Sequence, residues 1–497
     1  MNPGKASSAA TAEWAAYHPA VGYKRFGGTR LTVSAAGFGS YRIDAAVELH
    51  RAALRYSLLQ GINLVDTSAN YGDGASERLI GEVLTELLSA GELRRDQLVI
   101  VSKVGYLQGA NYRLSQRLKQ EGRPFPELVE YGAGLEHCVH PEFIEEQLTR
   151  SLDRLQLEQL DGYLLHNPEY YLNWAAQHGM PKDEARREYM RRIEAAFRHL
   201  EREADRGRIA FYGVSSNTFP AAAEDYAHTA LDELWDIAER ISKAHRFRCI
   251  QLPANLLETG AFTERNQRGG ATAAEFAREK ELAVLVNRPL NAFAGHRLIR
   301  LADVPSSPEA GAADVEAGLA RLQTLERTLA ADLLPRIAGD AASAAVTGSS
   351  TLAHWRQYGA YAAWMDGLRQ RIVPAVQRQM APLLALAQNA PELDRWSREY
   401  VSEINHAIKQ ASLVYQSEAR RDAEAISARA AAADPDWADA GSLSRLAIRA
   451  LRTSDSVSCV LVGMRSEAYV RDVLAELGSP AADKPRGAAW SRLGGGV

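Results

Sequence analysis

Residues 62–77 read INLVDTSANYGDGASE, and the change of pattern inside them decides the architecture. Five residues form a short apolar run that ends on a carboxylate, Asp66. A glycine-punctuated turn follows, and Ser76–Leu88 then carries Leu79, Ile80, Val83, Leu84 and Leu87 at helical spacing. Period 2 or continuous burial gives way to period 3.6, the signature of a strand, a loop and a helix in succession. Outward from this unit the rhythm repeats. Candidate strands are Ala35–Gly39, Ile62–Thr67, Leu98–Val104, Leu160–His166, Ile209–Ser215, Cys249–Pro253, Ala283–Asn287 and Ser458–Val462. Helical spacing recurs between them in Val47–Leu59, Pro141–Leu155, Arg186–Ala204 and Leu443–Leu451, and YKRFGGTRLTVS at 23–34 reads as a strand, a turn and a strand. Parallel strands this apolar need cover on both faces, so the expected fold is α/β, a closed (β/α)₈ TIM barrel.

The rhythm breaks once. Between the seventh and eighth strands, Val315, Leu319, Leu322, Leu325, Leu329 and Leu333 trace one helix face. Ile372, Val376, Met380 and Leu383, then Val401, Ile404 and Ile408, trace others. This reads as an all-helical insertion rather than a linker. The expected division is a barrel over 20–295 and 441–477, a helical insertion over 296–440 and a flexible C-terminal tail over 478–497, inferred from its Gly and Pro content. A second excursion, Gly105–His140, follows the third strand.

Of the 497 residues, 46% are hydrophobic and 24% charged, which excludes a largely disordered or collagen-like chain. With 58 basic and 62 acidic residues, a net charge of −4 and no long basic run, no nucleic acid and no anionic membrane is expected as partner. Cys138, Cys249 and Cys459 are spaced too widely for a CxxC zinc pattern and read as reduced thiols. The first residues lack a signal-type run of about 7–15 apolar residues, and no stretch reaches the roughly 20 needed to span a bilayer, so a cytoplasmic location is expected.

Function in such barrels gathers where strands end and loops begin. Asp66, Tyr71, Lys103 and His166 all stand there. Singly, each also reads as structural: an ion pair, a wall residue, a core histidine. Together they form a proton donor, because a phenol of pKa about 10 becomes a useful acid when a neighbouring ammonium stabilises its anion. Lys103 supplies the ammonium, Asp66 holds it charged, and neutral His166 bonds a carbonyl oxygen. Such a group suits hydride transfer from a nicotinamide to a carbonyl.

With these four residues in place, DTSANYGDGASE, VSKVGY and LLHNPE resemble the motifs of the aldo-keto reductase superfamily over about residues 20–295 and 441–477. The resemblance implies NADPH, with NADH as the other candidate, bound without a Rossmann fingerprint. It implies interconversion of an aldehyde, ketone or sugar with its alcohol, Tyr71 being the acid/base. By the same resemblance Gly39, Ser40 and Tyr41 line the nicotinamide, Gln251 and either Ser216 or Asn217 hold its carboxamide, and Asn287 or Arg288 takes the stacking position. After the eighth strand, Gly463 and Arg465 stand at a helix entrance suited to the 2′-phosphate, with Tyr469 and Asp472 on the adenine side. The expected partner is a small carbonyl or alcohol substrate, with a homo-oligomer left open. No metal is expected: HCVH at 137–140 offers His137, Cys138 and His140 but lacks a further ligand. The rival reading is a non-catalytic NADPH-binding redox sensor that uses the insertion to bind a partner.

Overall fold

Runs of Val, Ile and Leu a few residues long are buried on both faces, as parallel strands under a helical layer require. In the computed structural model, which describes residues 1–495 apart from 296, 305–307, 309 and 339–345, these runs form β1 (Ala36–Gly39), β2 (Leu64–Asp66), β3 (Val99–Val104), β4 (Leu160–His166), β5 (Ile209–Ser215), β6 (Phe247–Pro253), β7 (Ala283–Asn287) and β8 (Cys459–Val462). Each pairs in parallel with the next, and β8 pairs back to β1, closing an eight-stranded barrel. The strands match the sequence reading to within two residues. Side chains from all around fill the interior, among them Leu64, Val99, Val101, Leu164, Phe211, Leu285 and Leu461. Each buried Val, Leu or Phe contributes about 1.5–3 kcal/mol relative to exposure. An antiparallel pair, Tyr23–Arg25 with Thr32–Ser34, adds Phe26, Leu31 and Val33 to the same cluster.

Register sets the height of the functional residues. Gly39 lies level with Asp66, Asp66 with Val101, and Lys103 with Leu164. His166 lies level with Ser215, and Ser215 with Gln251. The carboxyl ends of β1 to β6 therefore present their polar residues on one rim.

The chain divides into two compact units, Met1–Leu290 with Ala430–Val497, and Asn291–Arg429. The second opens with an antiparallel hairpin, Asn291–Ala294 with Arg297–Arg300, so it is not wholly helical as expected. Residue 296, the expected start of the insertion, lies outside the described residues. Helices Ala312–Thr328, Val373–Ala387 and the 43-residue Pro391–Ala433 follow. Val315, Leu322, Leu329, Ile372, Met380, Leu383 and Ile404 are buried in the core of this unit, together with Trp355, Trp364, Trp396 and Tyr400. Val401, assigned to the apolar stripe by spacing, is exposed.

The C-terminal segment is also corrected. Through residue 495 it is no flexible tail: Gly487–Gly494 is a helix, and Trp490 is fully buried. Its ring stacks on Phe262 at 4.5 Å and its Nε1–H bonds Ser454 Oγ at 2.9 Å. One buried indole outweighs the Gly and Pro around it. Before residue 20, helix Ser8–Tyr17 is capped by Ser7 and anchored by Trp14 Nε1–H on the Gly61 carbonyl at 3.2 Å. Among the described residues, no helix is long and apolar enough to cross a membrane.

Candidate active site

The loop after β2 places Tyr71 by backbone geometry. Gly72, Asp73 and Gly74 all take positive φ, at 57°, 54° and 82°, and turn the chain into helix Ala75–Ser89. Left-handed backbone favours Gly, with Asp tolerated, which accounts for the GDG sequence. The Ser-Glu pair that follows is a staple. Ser76 Oγ donates toward Ser40 Oγ at 2.7 Å and lies 2.9 Å from Thr67 Oγ1, while buried Glu77 accepts from Ser102 Oγ and Arg154 Nε, each at 2.6 Å.

At the centre, Lys103 is fully buried. Its ammonium donates to Asp66 Oδ2 at 2.7 Å, to the Thr67 carbonyl at 2.9 Å and to Tyr71 Oη at 3.2 Å. All three protons are thereby used. Because Lys103 donates into the phenol oxygen, the Tyr71 O–H remains available for another acceptor. Burial raises the Tyr71 phenol above its ordinary value and Lys103 opposes that rise, so the resting group is a neutral O–H. Burial pulls the Lys103 ammonium down, but Asp66 and Tyr71 outweigh it and leave it raised, hence charged. Burial, then the charge of Lys103, holds His166 well below its ordinary value, so the imidazole is neutral.

The His166 ring lies edge-on to Tyr71 at 5.9 Å and to Tyr106 at 4.8 Å. Ser68 Oγ lies 2.7 Å from Asn70 Oδ1 and 3.0 Å from His166 Nδ1. Ser68 Oγ gives its one proton to Asn70 Oδ1, so the His166 Nδ1–H is the donor across the 3.0 Å contact. The four predicted residues are thus brought together.

The excursion after β3 forms a small antiparallel sheet, Tyr106–Leu107, Val129–Gly132 and Leu135–His137. It lays His137 beneath the site, where its Nε2–H donates to the His166 carbonyl at 2.7 Å. Cys138 Sγ bonds the Pro126 carbonyl and His140 caps helix Pro141–Leu155, so the HCVH side chains diverge. Tyr170 joins the aromatic wall, 5.1 Å from Tyr106 and 4.5 Å from Tyr131. Tyr171 instead turns away to Arg192, whose guanidinium sits 4.1 Å above its ring.

The predicted cofactor residues divide. Tyr41 is 63% exposed with its ring 5.1 Å from Tyr71. Gly39 closely approaches Val462 just before Gly463, bringing the β1 and β8 turns together. Arg465, half-buried before helix Glu467–Leu477, has no ion-pair partner among the described residues. Of the pair at 216–217, Ser216 Oγ is buried against Thr218 and Thr229, both at 3.1 Å, while Asn217 is exposed. Asn287 Oδ1 is buried without a hydrogen-bond partner among the described residues.

Others are engaged elsewhere. Ser40 Oγ donates to the Asp66 carbonyl at 2.7 Å, Arg288 pairs with Glu258 at 2.9 Å, and Asp472 accepts from Arg445 at 2.7 Å. Tyr469 is exposed. Gln251, expected to face a carboxamide, donates from Nε2 to Asp66 Oδ1 at 2.8 Å and accepts from Ser215 at 3.2 Å and Asn287 at 3.3 Å. Sequence reasoning passed over Ser68, Tyr106 and Glu169. The rule that picked His166, a polar residue just past an apolar strand, reaches Glu169 when extended by three positions.

Residues 36–304 match the model of the Aldo/keto reductase family. The chain belongs to that family. It is 28% identical over 156 residues to the NADH-specific methylglyoxal reductase of Escherichia coli strain K12, a match covering 28% of this chain and 40% of that protein. It is 27% identical over 181 residues to the aldo-keto reductase family 1 member A1 of Bos taurus, covering 36% and 45% respectively. The chain thus spans less than half the length of these curated relatives. Among solved structures, an aldo/keto reductase from Klebsiella pneumoniae in complex with NADP and acetate is 20% identical, covering 54% of this chain and 69% of that one, with a TM-score of 0.34.

Proposed function

We propose that this aldo/keto reductase is an NADPH-dependent oxidoreductase that interconverts a carbonyl and its alcohol, with Tyr71 as the acid/base. The observation that carries the reading is the hydrogen bond from buried, charged Lys103 into Tyr71 Oη. It leaves the phenol proton free in the resting state and stabilises the phenolate once that proton has gone. Relatives named as a methylglyoxal reductase and as aldo-keto reductases support nicotinamide-dependent carbonyl chemistry.

The residues present fit a nicotinamide nucleotide. Asn287 Oδ1 is a buried acceptor in need of a donor, as a carboxamide N–H provides. The exposed Asn217 amide offers the complementary pair. Gly39, Tyr41 and Gly463 border the same rim. Arg465, with no carboxylate paired to it among the described residues, suits the 2′-phosphate and so favours NADPH over NADH. Bound there, NADPH supplies the hydride that reduces the carbonyl carbon. Tyr71 gives its proton to the substrate oxygen, Lys103 holds the phenolate, Asp66 keeps Lys103 in place, and neutral His166 borders the site from the other side. Tyr41, Tyr106 and Tyr170 wall the site and exclude water.

The test is loss of NADPH absorbance with a panel of aldehydes that includes methylglyoxal. Turnover with NADPH in preference to NADH is expected. Tight nucleotide binding without oxidation by any carbonyl refutes the enzymatic reading.

A further inference from the structure

Glu169 lies in the loop after β4, three residues beyond His166, and is only 2% exposed. Its Oε1 accepts the backbone N–H of Asn217, in the turn after β5, at 2.9 Å. Its Oε2 is buried with no hydrogen-bond partner among the described residues. A carboxyl group so placed is costly unless it does something, because each unmet acceptor forfeits the hydration it had in water. Register explains how the two loops meet: His166 and Ser215 lie level on adjacent strands, so the residues that follow each are neighbours.

Resting on the nicotinamide reading above, we infer that Glu169 is a positioning residue whose carboxylate fixes the Ser216–Asn217 turn and so sets the affinity for nicotinamide nucleotides. The bond is made to the backbone, so the Asn217 side chain stays free to face the carboxamide. Ser216 Oγ anchors the same turn from the other side by accepting the Thr218 N–H at 3.1 Å. An ionised carboxylate grips the Asn217 N–H more strongly than a neutral acid does. Burial raises the Glu169 carboxyl to about 7, against the pull of the Asn217 N–H, of its own backbone N–H and of the Ser216 hydroxyl, so the grip changes near neutral pH. The ionisable groups that interact with it from the surrounding elements are phenols: Tyr106 on the small sheet, Tyr170 on the helix that follows Glu169, and Tyr189 on helix Lys182–Asp205. All three are themselves raised, so none titrates alongside it near neutrality.

The sign follows. Above pH about 7 the carboxylate is charged and the turn is held; below it the acid form loosens the turn and nucleotide binding weakens. The experiment is a fluorescence titration of NADPH on the full chain from pH 5.5 to 8.5, for wild type and for E169Q. Glutamine keeps an acceptor oxygen at the same reach but neither ionises nor bonds as strongly. Wild type should lose affinity about three- to tenfold as pH falls through 7, and E169Q should bind about three- to tenfold more weakly at pH 8 with that pH dependence gone. Wild-type affinity and pH profile in E169Q overturn the positioning role alone. Failure of the wild-type chain to bind any nicotinamide nucleotide overturns the cofactor reading and this inference with it. A measurement needing no variant is the amide proton shift of Asn217 in the nucleotide-free wild type: it should titrate with a midpoint near 7, and a flat response overturns the inference.

Discussion

Replacing Tyr71 with Phe removes one oxygen, and the structure fixes what is lost with it. Lys103 keeps Asp66 at 2.7 Å and the Thr67 carbonyl at 2.9 Å, so its charge stays paired. The ring keeps its edge contacts with Tyr41 and His166. Stability should therefore fall by the worth of one hydrogen bond from a buried ammonium, about 1.5–3 kcal/mol. Chemistry should fall much further. A general acid contributes about 100- to 10,000-fold, or roughly 3–5.5 kcal/mol of barrier. Lys103→Met would be a poorer probe, because it strands a buried carboxylate and costs about 3–5 kcal/mol of stability. The assay is kcat and KM for an aldehyde with NADPH, beside NADPH affinity and a thermal melt. Tyr71→Phe should stay folded and keep its NADPH affinity while losing at least 100-fold in kcat. Turnover within about tenfold of wild type, with the fold intact, would refute the assignment of the acid.

Arg465→Ala should weaken NADPH about 10- to 100-fold, the worth of a lost charged hydrogen bond, and leave NADH unchanged; equal losses for both nucleotides place the guanidinium elsewhere. A β-carbon at Gly105 would stand 2.5 Å from the His166 carbonyl oxygen and 2.6 Å from His137 Nε2. Gly105→Ala should accordingly cost about 1–3 kcal/mol and lower kcat by moving His166, and an unchanged melt and rate would show that the backbone there has room. Burial holds His137 down at about 4, whereas an unfolded chain takes up that proton near pH 6.5. The stability this site contributes is thus full above pH about 6.5 and drains away as pH falls toward 4. Urea midpoints at pH 7 and pH 5 should differ less in His137→Gln than in wild type; equal differences refute the linkage.

The barrel was legible because each strand is a continuous apolar run, and the four central residues because each stands at or just beyond the end of one. Residues whose meaning depends on a neighbouring strand were not. Glu169 reads as an ordinary loop carboxylate until pairing of β4 with β5 brings Asn217 to it. The doubled serine in YGVSSNTF left Ser216 and Asn217 equivalent, and only the inward turn of the Ser216 hydroxyl toward Thr218 and Thr229 separates them. The three strands within 105–140 hold two to four residues each, too few to display a period. At the C-terminus, the Gly and Pro content of 478–497 hides one Trp at 490 whose burial decides the local structure.

Gln251 ties β6 to the centre of the site through three hydrogen bonds. Its amide has an oxygen end facing two donors, Ser215 and Asn287, and a nitrogen end facing the Asp66 carboxylate. Turning it over would set N–H against N–H at Asn287 and oxygen against oxygen at Asp66, sacrificing two hydrogen bonds of about 1 kcal/mol each, while the Ser215 hydroxyl could accept instead. The orientation is therefore locked, and Asp66 gains a second donor on the oxygen that Lys103 does not use. With both its oxygens bonded, Asp66 has little freedom to rotate away from the ammonium. The hydrogen-bonded network thus extends from Tyr71 through Lys103 and Asp66 to β6, one residue beyond the four that the motifs mark. Asn287, which spends its N–H on Gln251, is left with an oxygen that has no partner among the described residues and that a carboxamide would satisfy.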